Sequence, residues 1–108
     1  MGKIFAMEYG NNIKTAMNNR EKLQKMDRAL RLLEDLKNSQ VALIEKSSQL
    51  QLDAMEFNFP NMEKNMAELY TKYNELLDIL NEEIERFDSR RNKFEMEHGL
   101  DKEEGEEA

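Results

Sequence analysis

The sequence contains no cysteine and no tryptophan, and it has a single histidine and a single proline. Without cysteine, the chain has no disulfide framework, no cysteine-ligated zinc site and no cysteine nucleophile. With one histidine, it has little of the side chain that most often serves as a general base or a metal ligand. No phosphate-binding loop, other nucleophile or paired-acid motif replaces them. We therefore predict that the protein is not an enzyme and has no cofactor, no metal site and no small-molecule substrate.

The one histidine lies in the stretch Glu95-Met96-Glu97-His98. Glu95 and His98 have the i, i+3 spacing with which some helical bundles bind paired metal ions. Such a site needs further inward-facing carboxylates and usually a second copy of the motif, which a chain with one histidine does not contain. Because Gly99 follows directly, we interpret His98 as a residue at a helix end, where its protonated ring interacts favourably with the helix dipole.

Long apolar runs are missing as well, since 36% of the residues are charged and the mean hydropathy is −0.89. Residues Met1–Tyr9 contain neither an apolar run of seven nor a small-residue cleavage site, so no secretory signal is expected. Gly2 opens the chain like a myristoylation signal, but Ala6 occupies the place where Ser or Thr is required. We predict a cytoplasmic protein with no membrane-spanning segment.

Residues that favour helices fill the chain, whereas Val41 is the only valine and the alternating pattern of strands is absent. Three breaks interrupt the pattern, at Gly10, Pro60 and Gly99. The predicted fold class is all-α, a long antiparallel helical hairpin. We predict an apolar leader at residues 1–11, helices at 12–56 and 61–97, a turn at 57–60 and an acidic, disordered C-terminal tail at 98–108. The leader is either a short docked helix or a flexible anchor.

Folding the chain back at Asn58-Phe59 brings together residues whose numbers add up to about 117. This register places Leu23 opposite Phe94 and Leu33 opposite Ile84, so that apolar side chains face one another. On the second helix the predicted buried seam follows a three-four spacing. It comprises Met62, Met66, Leu69, Tyr73, Leu76, Leu80, Ile84, Phe87 and Phe94.

A second apolar stripe recurs every seven residues on a different side of the first helix. Its members, with their counterparts on the second helix, are Leu36, Leu43, Leu50 and Phe57, and Tyr70, Leu77 and Ile84. One hairpin cannot bury both stripes, and monomeric proteins rarely expose a long apolar strip. We therefore predict a homodimer that forms a four-helix bundle through these residues. The competing interpretation is that the stripe binds a different, larger protein.

The net charge of −7 is concentrated in the second half of the chain. Residues 1–58 carry +1, residues 59–108 carry −8, and residues 95–108 alone carry −6. A locally basic stretch in the first helix offers possible contacts to RNA or DNA. These residues are Lys14, Arg20, Lys22, Lys25, Arg28 and Arg31. Acidic residues interleave with them and no exposed aromatic platform accompanies them, which favours a solvated, salt-bridged face.

The function predicted from these patterns is that of a non-enzymatic protein-binding module, such as an adaptor, an inhibitor or a small assembly component. It would act through the surface of a helical bundle. A nucleic-acid-binding regulator that uses the basic stretch is the alternative, and an acidic mimic of nucleic acid is the third interpretation.

Overall fold

A computed structural model of the protein describes residues 18–101. It contains two long helices, α1 (Asn19–Phe57) and α2 (Pro60–Glu97), joined by a tight turn. No strand is found in residues 18–101, so the prediction of an all-α, two-helix hairpin is confirmed. Neither helix in this range has an apolar stretch long enough to cross a membrane.

The first helix begins at a reciprocal hydrogen-bonded cap. The side-chain oxygen of Asn18 accepts a hydrogen bond from the backbone N–H of Glu21 at 2.7 Å, and a Glu21 carboxylate oxygen accepts one from the N–H of Asn18 at 3.3 Å. This is a capping box with asparagine in the first position. α1 therefore begins at Asn19, whereas the sequence analysis placed its start near residue 12 from the Gly10 break. Residues 12–17 and the leader lie outside the described residues.

Polar residues within α1 do not interrupt it. The helix is continuous for 39 residues through Asn38-Ser39 and Ser47-Ser48. The Ser47 hydroxyl donates a hydrogen bond to the backbone carbonyl of Ile44 at 3.0 Å, so its polar group is satisfied within the helix. The helix is therefore not split at either polar pair.

The turn is a Schellman motif built on an asparagine. Asn58 has a left-handed backbone, with φ of 63°, and its N–H donates to the Met55 carbonyl at 3.2 Å. The N–H of Phe59 donates to the Ala54 carbonyl at 2.9 Å, which completes the motif. Pro60 then begins α2, at the position where its missing N–H costs nothing. The turn is thus shorter than the predicted range of 57–60, because Phe57 and Pro60 belong to the helices.

The second helix ends in a similar way. Gly99 has φ of +66°, and its N–H donates to the Met96 carbonyl at 3.1 Å. His98 lies just after the last residue of α2. Of the predicted tail at 98–108, only residues 98–101 are described, and Leu100 among them is half-buried.

The described chain forms two compact units. The end unit combines residues 18–29 with residues 89–101, and the turn unit comprises residues 30–88. Each contains one stretch of α1 and one of α2. The end unit has seven basic and five acidic residues, and the turn unit has six basic and thirteen acidic residues. The near-neutral body inferred from the sequence therefore contains a turn unit with a net charge of −7.

Three contacts between the helices define the register of the end unit. Asn19 contacts His98, Lys22 lies over the ring of Phe94, and Asp27 contacts Arg91. The residue numbers in these contacts add up to 117, 116 and 118, in agreement with the register predicted from the turn.

In the turn unit, the side chains of α1 that face α2 follow a regular three-four spacing and are buried or half-buried. They are Leu30, Leu33, Lys37, Gln40, Ile44, Ser47, Gln51 and Ala54. Ser47 and Ala54 are 4% and 0% exposed, whereas no residue of α2 is fully buried. The hairpin alone therefore has a thin core.

The half-buried apolar residues of α2 in the turn unit correct the predicted seam at one point. They include Met62, Met66, Leu69, Tyr73, Leu77, Leu80, Ile84 and Phe87. Leu77 occupies the place that the sequence analysis gave to Leu76, which is 52% exposed. The reason is helical geometry: a step of one residue turns a side chain by about 100°, so only one of two neighbouring leucines can be shielded, and it is Leu77. The side-chain amide of Gln40 donates to the Tyr73 carbonyl at 2.9 Å, which links the two helices in this unit.

Candidate interaction surface

The large exposed aliphatic residues of the turn unit share a position relative to the seam. Leu36, Leu43 and Leu50 each directly precede a seam residue of α1. Because the helices are antiparallel, one residue before the seam points to the same side of the hairpin on both helices. These residues therefore line one side of the turn unit, here called the apolar side. Its exposed members are Leu32, Leu36, Leu43, Leu50, Phe57, Leu76 and Ile79, between 40% and 67% exposed.

The opposite side of the turn unit is formed by the residues that directly follow the seam. Most of them are polar or charged, so we call it the polar side. Its polar members are Arg31, Glu34, Asn38, Glu45, Ser48, Asn74, Asp78, Asn81, Glu85 and Asp88. Leu52 and Met55, near the turn, are the exposed exceptions. The turn unit is therefore amphipathic across its width as well as toward its seam.

The composition of the α1 seam explains why the apolar side is exposed. Toward α2, α1 presents the polar residues Lys37, Gln40 and Gln51 among its seam residues, whereas Leu36, Leu43 and Leu50 each lie one position before the seam. The most apolar stripe of α1 is thus rotated by about 100° from the helix that it packs against. Only a second surface can bury that stripe.

The structure divides the predicted interface residues into two groups. Leu36, Leu43, Leu50, Phe57 and Tyr70 are 54%, 41%, 40%, 56% and 40% exposed. Leu77 and Ile84 are half-buried and lie in the seam between the two helices.

Three members of the apolar side were missed by the sequence analysis. Leu32, Leu76 and Ile79 are 67%, 52% and 64% exposed. They do not continue the seven-residue repeat that defined the predicted stripe, and only the observed register of the helices assigns them to this side.

Charged residues on the apolar side are of both signs. Lys72 pairs with Glu68 at 3.9 Å, and Arg86 pairs with Glu83 at 3.5 Å. Lys46 and Asp53 are the other two charged residues that directly precede the seam. Exposed pairs of this kind stabilise a helix little. They nevertheless leave the apolar side with no excess of acidic charge.

The end unit is closed by an ion-pair cluster at the seam. Arg91, three residues before Phe94, is 19% exposed in its side chain. Its Nε donates to Asp27 Oδ1 at 2.6 Å, and its Nη1 donates to Glu95 Oε1 at 2.7 Å. The hydrogen bond with Asp27 raises the pKa of Arg91 above its usual value. A charge-assisted bridge thus joins α1 to α2 in this unit.

The predicted nucleic-acid contacts within residues 18–101 belong to both units. Lys14 lies outside the described residues, Arg20 is half-buried, and Lys22 has its ammonium 5.1 Å from the centroid of the Phe94 ring. Lys25 and Arg28 are exposed in the end unit. Arg31 is exposed on the polar side of the turn unit.

Two further basic residues of the end unit were missed. Arg90 and Lys93 directly precede seam residues of α2, as Lys22 and Lys25 precede seam residues of α1. The antiparallel geometry therefore puts these four cations on one side of the end unit, here called the basic side. Lys93 also pairs with Glu97 at 3.9 Å. No pattern along the sequence connects residues so distant in number.

The single histidine makes structural contacts. The ring of His98 packs on that of Phe94 with centroids 4.4 Å apart, and its Nδ1 lies 3.1 Å from the side-chain amide nitrogen of Asn19. Across residues 18–101, no three potential metal ligands come together.

The geometry thus offers an apolar side, a polar side and a basic side as candidate sites of interaction. No protein-family model matches the chain, and no curated protein and no solved structure is significantly similar to it.

Proposed function

We propose that the protein is a non-enzymatic protein-binding module, an adaptor, inhibitor or small assembly component that acts through the apolar side of its turn unit. The observation that carries the proposal is the alignment of seven large, exposed apolar side chains on one side of the hairpin. Soluble monomers seldom present an apolar patch of this length unless it binds something.

The energy available to a partner at this surface is substantial. Complete burial of a large apolar side chain contributes roughly 1.5–3 kcal/mol, so covering seven that are about half exposed contributes on the order of 5–10 kcal/mol before the cost of association. The polar side offers no comparable gain, because its charged side chains must be desolvated. A macromolecular partner is therefore expected on the apolar side.

A pull-down from lysate with two matched variants tests the proposal. Leu43→Glu puts a charge at the middle of the apolar side, and Asn38→Glu puts the same charge on the polar side of the same helix. We expect the wild type and N38E to retain the same bound protein after nuclease treatment, and L43E to lose it. Equal retention by both variants, with equal helicity by circular dichroism, contradicts the proposed function.

A second candidate function is binding of RNA or DNA, which the basic side of the end unit favours. Four cations on one side can contact neighbouring phosphates, and the end unit carries two more basic than acidic residues. This alternative predicts that nuclease removes all bound material and that Lys25→Glu weakens binding. It also predicts a steep loss of affinity as the salt concentration rises.

A further inference from the structure

We infer that the apolar side is covered by a second copy of this chain, so that two turn units stack about a twofold axis into a four-helix bundle. The inference rests on the proposed function, because it names the occupant of the same surface. It also goes further, because it specifies which residues of the two copies meet.

The spacing of the α1 leucines is self-complementary. Leu36, Leu43, Leu50 and Phe57 are evenly spaced by seven residues, so the stripe has a centre between residues 46 and 47. A twofold axis through that centre runs the two α1 helices antiparallel. Leu43 then faces Leu50 of the second copy, and Leu36 faces Phe57. Every member of the stripe meets an apolar counterpart.

The area of the apolar side matches what a stable dimer needs. Complete burial removes on the order of 200 Å² for a large side chain, so seven that are about half exposed offer roughly 700 Å². A standard specific interface buries roughly 800 Å² on each partner. The exposed surface of one copy thus suffices for one such interface, with the rim supplied by the charged residues of the same side.

The placement of charge allows two copies to approach. Each turn unit has a net charge of −7, and two such units repel each other if their acidic residues meet. The residues beside the apolar stripe are of both signs, with Arg86 and Lys72 engaged by neighbouring glutamates. Glu34, Glu45 and Glu85 lie on the polar side and face away from a second copy. Stacking through the apolar side therefore keeps these acids in solvent.

Disulfide trapping tests the arrangement directly, because the chain has no cysteine of its own. The paired substitution Leu43→Cys with Leu50→Cys places thiols where the two copies are expected to meet. The matched control is Asn38→Cys with Glu45→Cys, which has the same seven-residue spacing on the polar side. Within one chain, each pair is about 10.5 Å apart along the helix, too far to bridge.

We expect wild-type protein at about 100 μM to sediment with the mass of two chains. This concentration lies well above a dimer dissociation constant on the order of 1 μM. L43C/L50C should form a covalent dimer under mild oxidation much faster than N38C/E45C does. Leu50→Glu should raise the dimer dissociation constant by about 100-fold or more, because it buries a charge at the interface, and Asn38→Glu should not change it.

A monomeric mass for the wild type overturns the inference, and so does a dimer in which the control pair crosslinks as fast as L43C/L50C. If the wild type is monomeric and Leu43→Glu still abolishes capture of a protein in the pull-down, only the second copy is rejected as the occupant. If Leu43→Glu and Asn38→Glu also behave alike in the pull-down, the proposed function fails as well.

Discussion

The end unit and the turn unit are built from the same two helices but are stabilised differently. In the end unit, α1 and α2 are joined by the Arg91–Asp27 ion pair, the Asn19–His98 contact and the Lys22–Phe94 contact. In the turn unit, the hydrogen bond recorded between the helices is the one from Gln40 to the Tyr73 carbonyl. Within residues 18–101, twelve large hydrophobic residues are exposed, and all of them except Met96 belong to the turn unit.

The two units differ in how many apolar side chains they leave exposed. Within residues 18–101, the end unit exposes Met96 as its one large hydrophobic side chain and presents several cations to solvent. In the turn unit, the polar residues Lys37, Gln40 and Gln51 occupy seam positions. Several leucines of the same helix are exposed to solvent. Exposure of such an apolar surface to water is unfavourable, and binding of a partner would remove that surface from water. This contrast is why we propose the turn unit, rather than the end unit, as the site of interaction.

The largest expected difference between the units comes from truncating one leucine in each. Leu23 in the end unit is 8% exposed, so Leu23→Ala should lower the free energy of unfolding by about 2–4 kcal/mol. Leu50 is 40% exposed, so Leu50→Ala should cost less than about 1 kcal/mol in dilute protein. Urea denaturation at two protein concentrations measures both. The cost of L50A should grow with concentration, since association stabilises the wild type; a cost of L50A that is independent of concentration contradicts this comparison.

Enlarging the smallest buried residue of the turn unit should have the next largest effect. Ala54 is 0% exposed and its carbonyl accepts the hydrogen bond that closes the turn. Ala54→Leu should destabilise the protein by about 1–3 kcal/mol, because the extra atoms have no space. Ala29→Leu, at a half-buried position of the end unit, serves as the control and should be tolerated better. Circular dichroism, used to monitor thermal unfolding, measures the melting temperatures of the two variants. Equal melting temperatures would show that the turn is loosely packed.

The ion pair of the end unit should show a smaller but measurable coupling. In a double-mutant cycle, Arg91→Ala and Asp27→Ala should be coupled by about 1–1.5 kcal/mol, because the bridge is short and the arginine is largely shielded from water. The exposed Arg86–Glu83 pair of the turn unit, at 3.5 Å, should be coupled by less than about 0.5 kcal/mol. Raising the salt concentration should reduce the second coupling proportionally more than the first. Similar couplings in both cycles would remove this distinction between the units.

The smallest expected effects come from the two left-handed residues that follow the helices. Gly99→Ala should cost about 0.5–1 kcal/mol, because its φ of +66° strains a side chain even though nothing lies within 4 Å of the new methyl group. Asn58→Gly should be neutral or stabilising by up to about 0.5 kcal/mol, since φ is 63° there and glycine adopts it without strain. Chemical denaturation of both variants checks the signs. A clear loss of stability in N58G would mean that the asparagine side chain contributes to the turn.

Much of the fold could be predicted from local sequence features. Pro60 after Asn58 placed the turn, and the three-four spacing of apolar residues on the second helix located most of the seam. The start of α1 was predicted less well. The break at Gly10 predicts a start near residue 12, whereas Asn18 and Glu21, which have the spacing of a capping box, begin the helix at Asn19.

The candidate surface was only partly predictable. The seven-residue repeat identified Leu36, Leu43, Leu50 and Phe57, which are all exposed. It assigned Leu77 to the same stripe and Leu76 to the seam, and the structure reverses these two positions. Neighbouring leucines look alike in a sequence pattern, and only the packing of α1 against α2 decides which of them faces inward.

The sequence by itself determined that this protein is helical, that it reverses direction near Pro60, and that it has more apolar stripe than one hairpin buries. These properties follow from local conformational preference and from periodicity, which act within one segment of chain. The tertiary structure decided which side of the hairpin the surplus stripe lies on. It also gathered Lys22, Lys25, Arg90 and Lys93 onto the basic side of the end unit. Both outcomes depend on the register between α1 and α2, and that register arises from side chains far apart in the chain packing against one another.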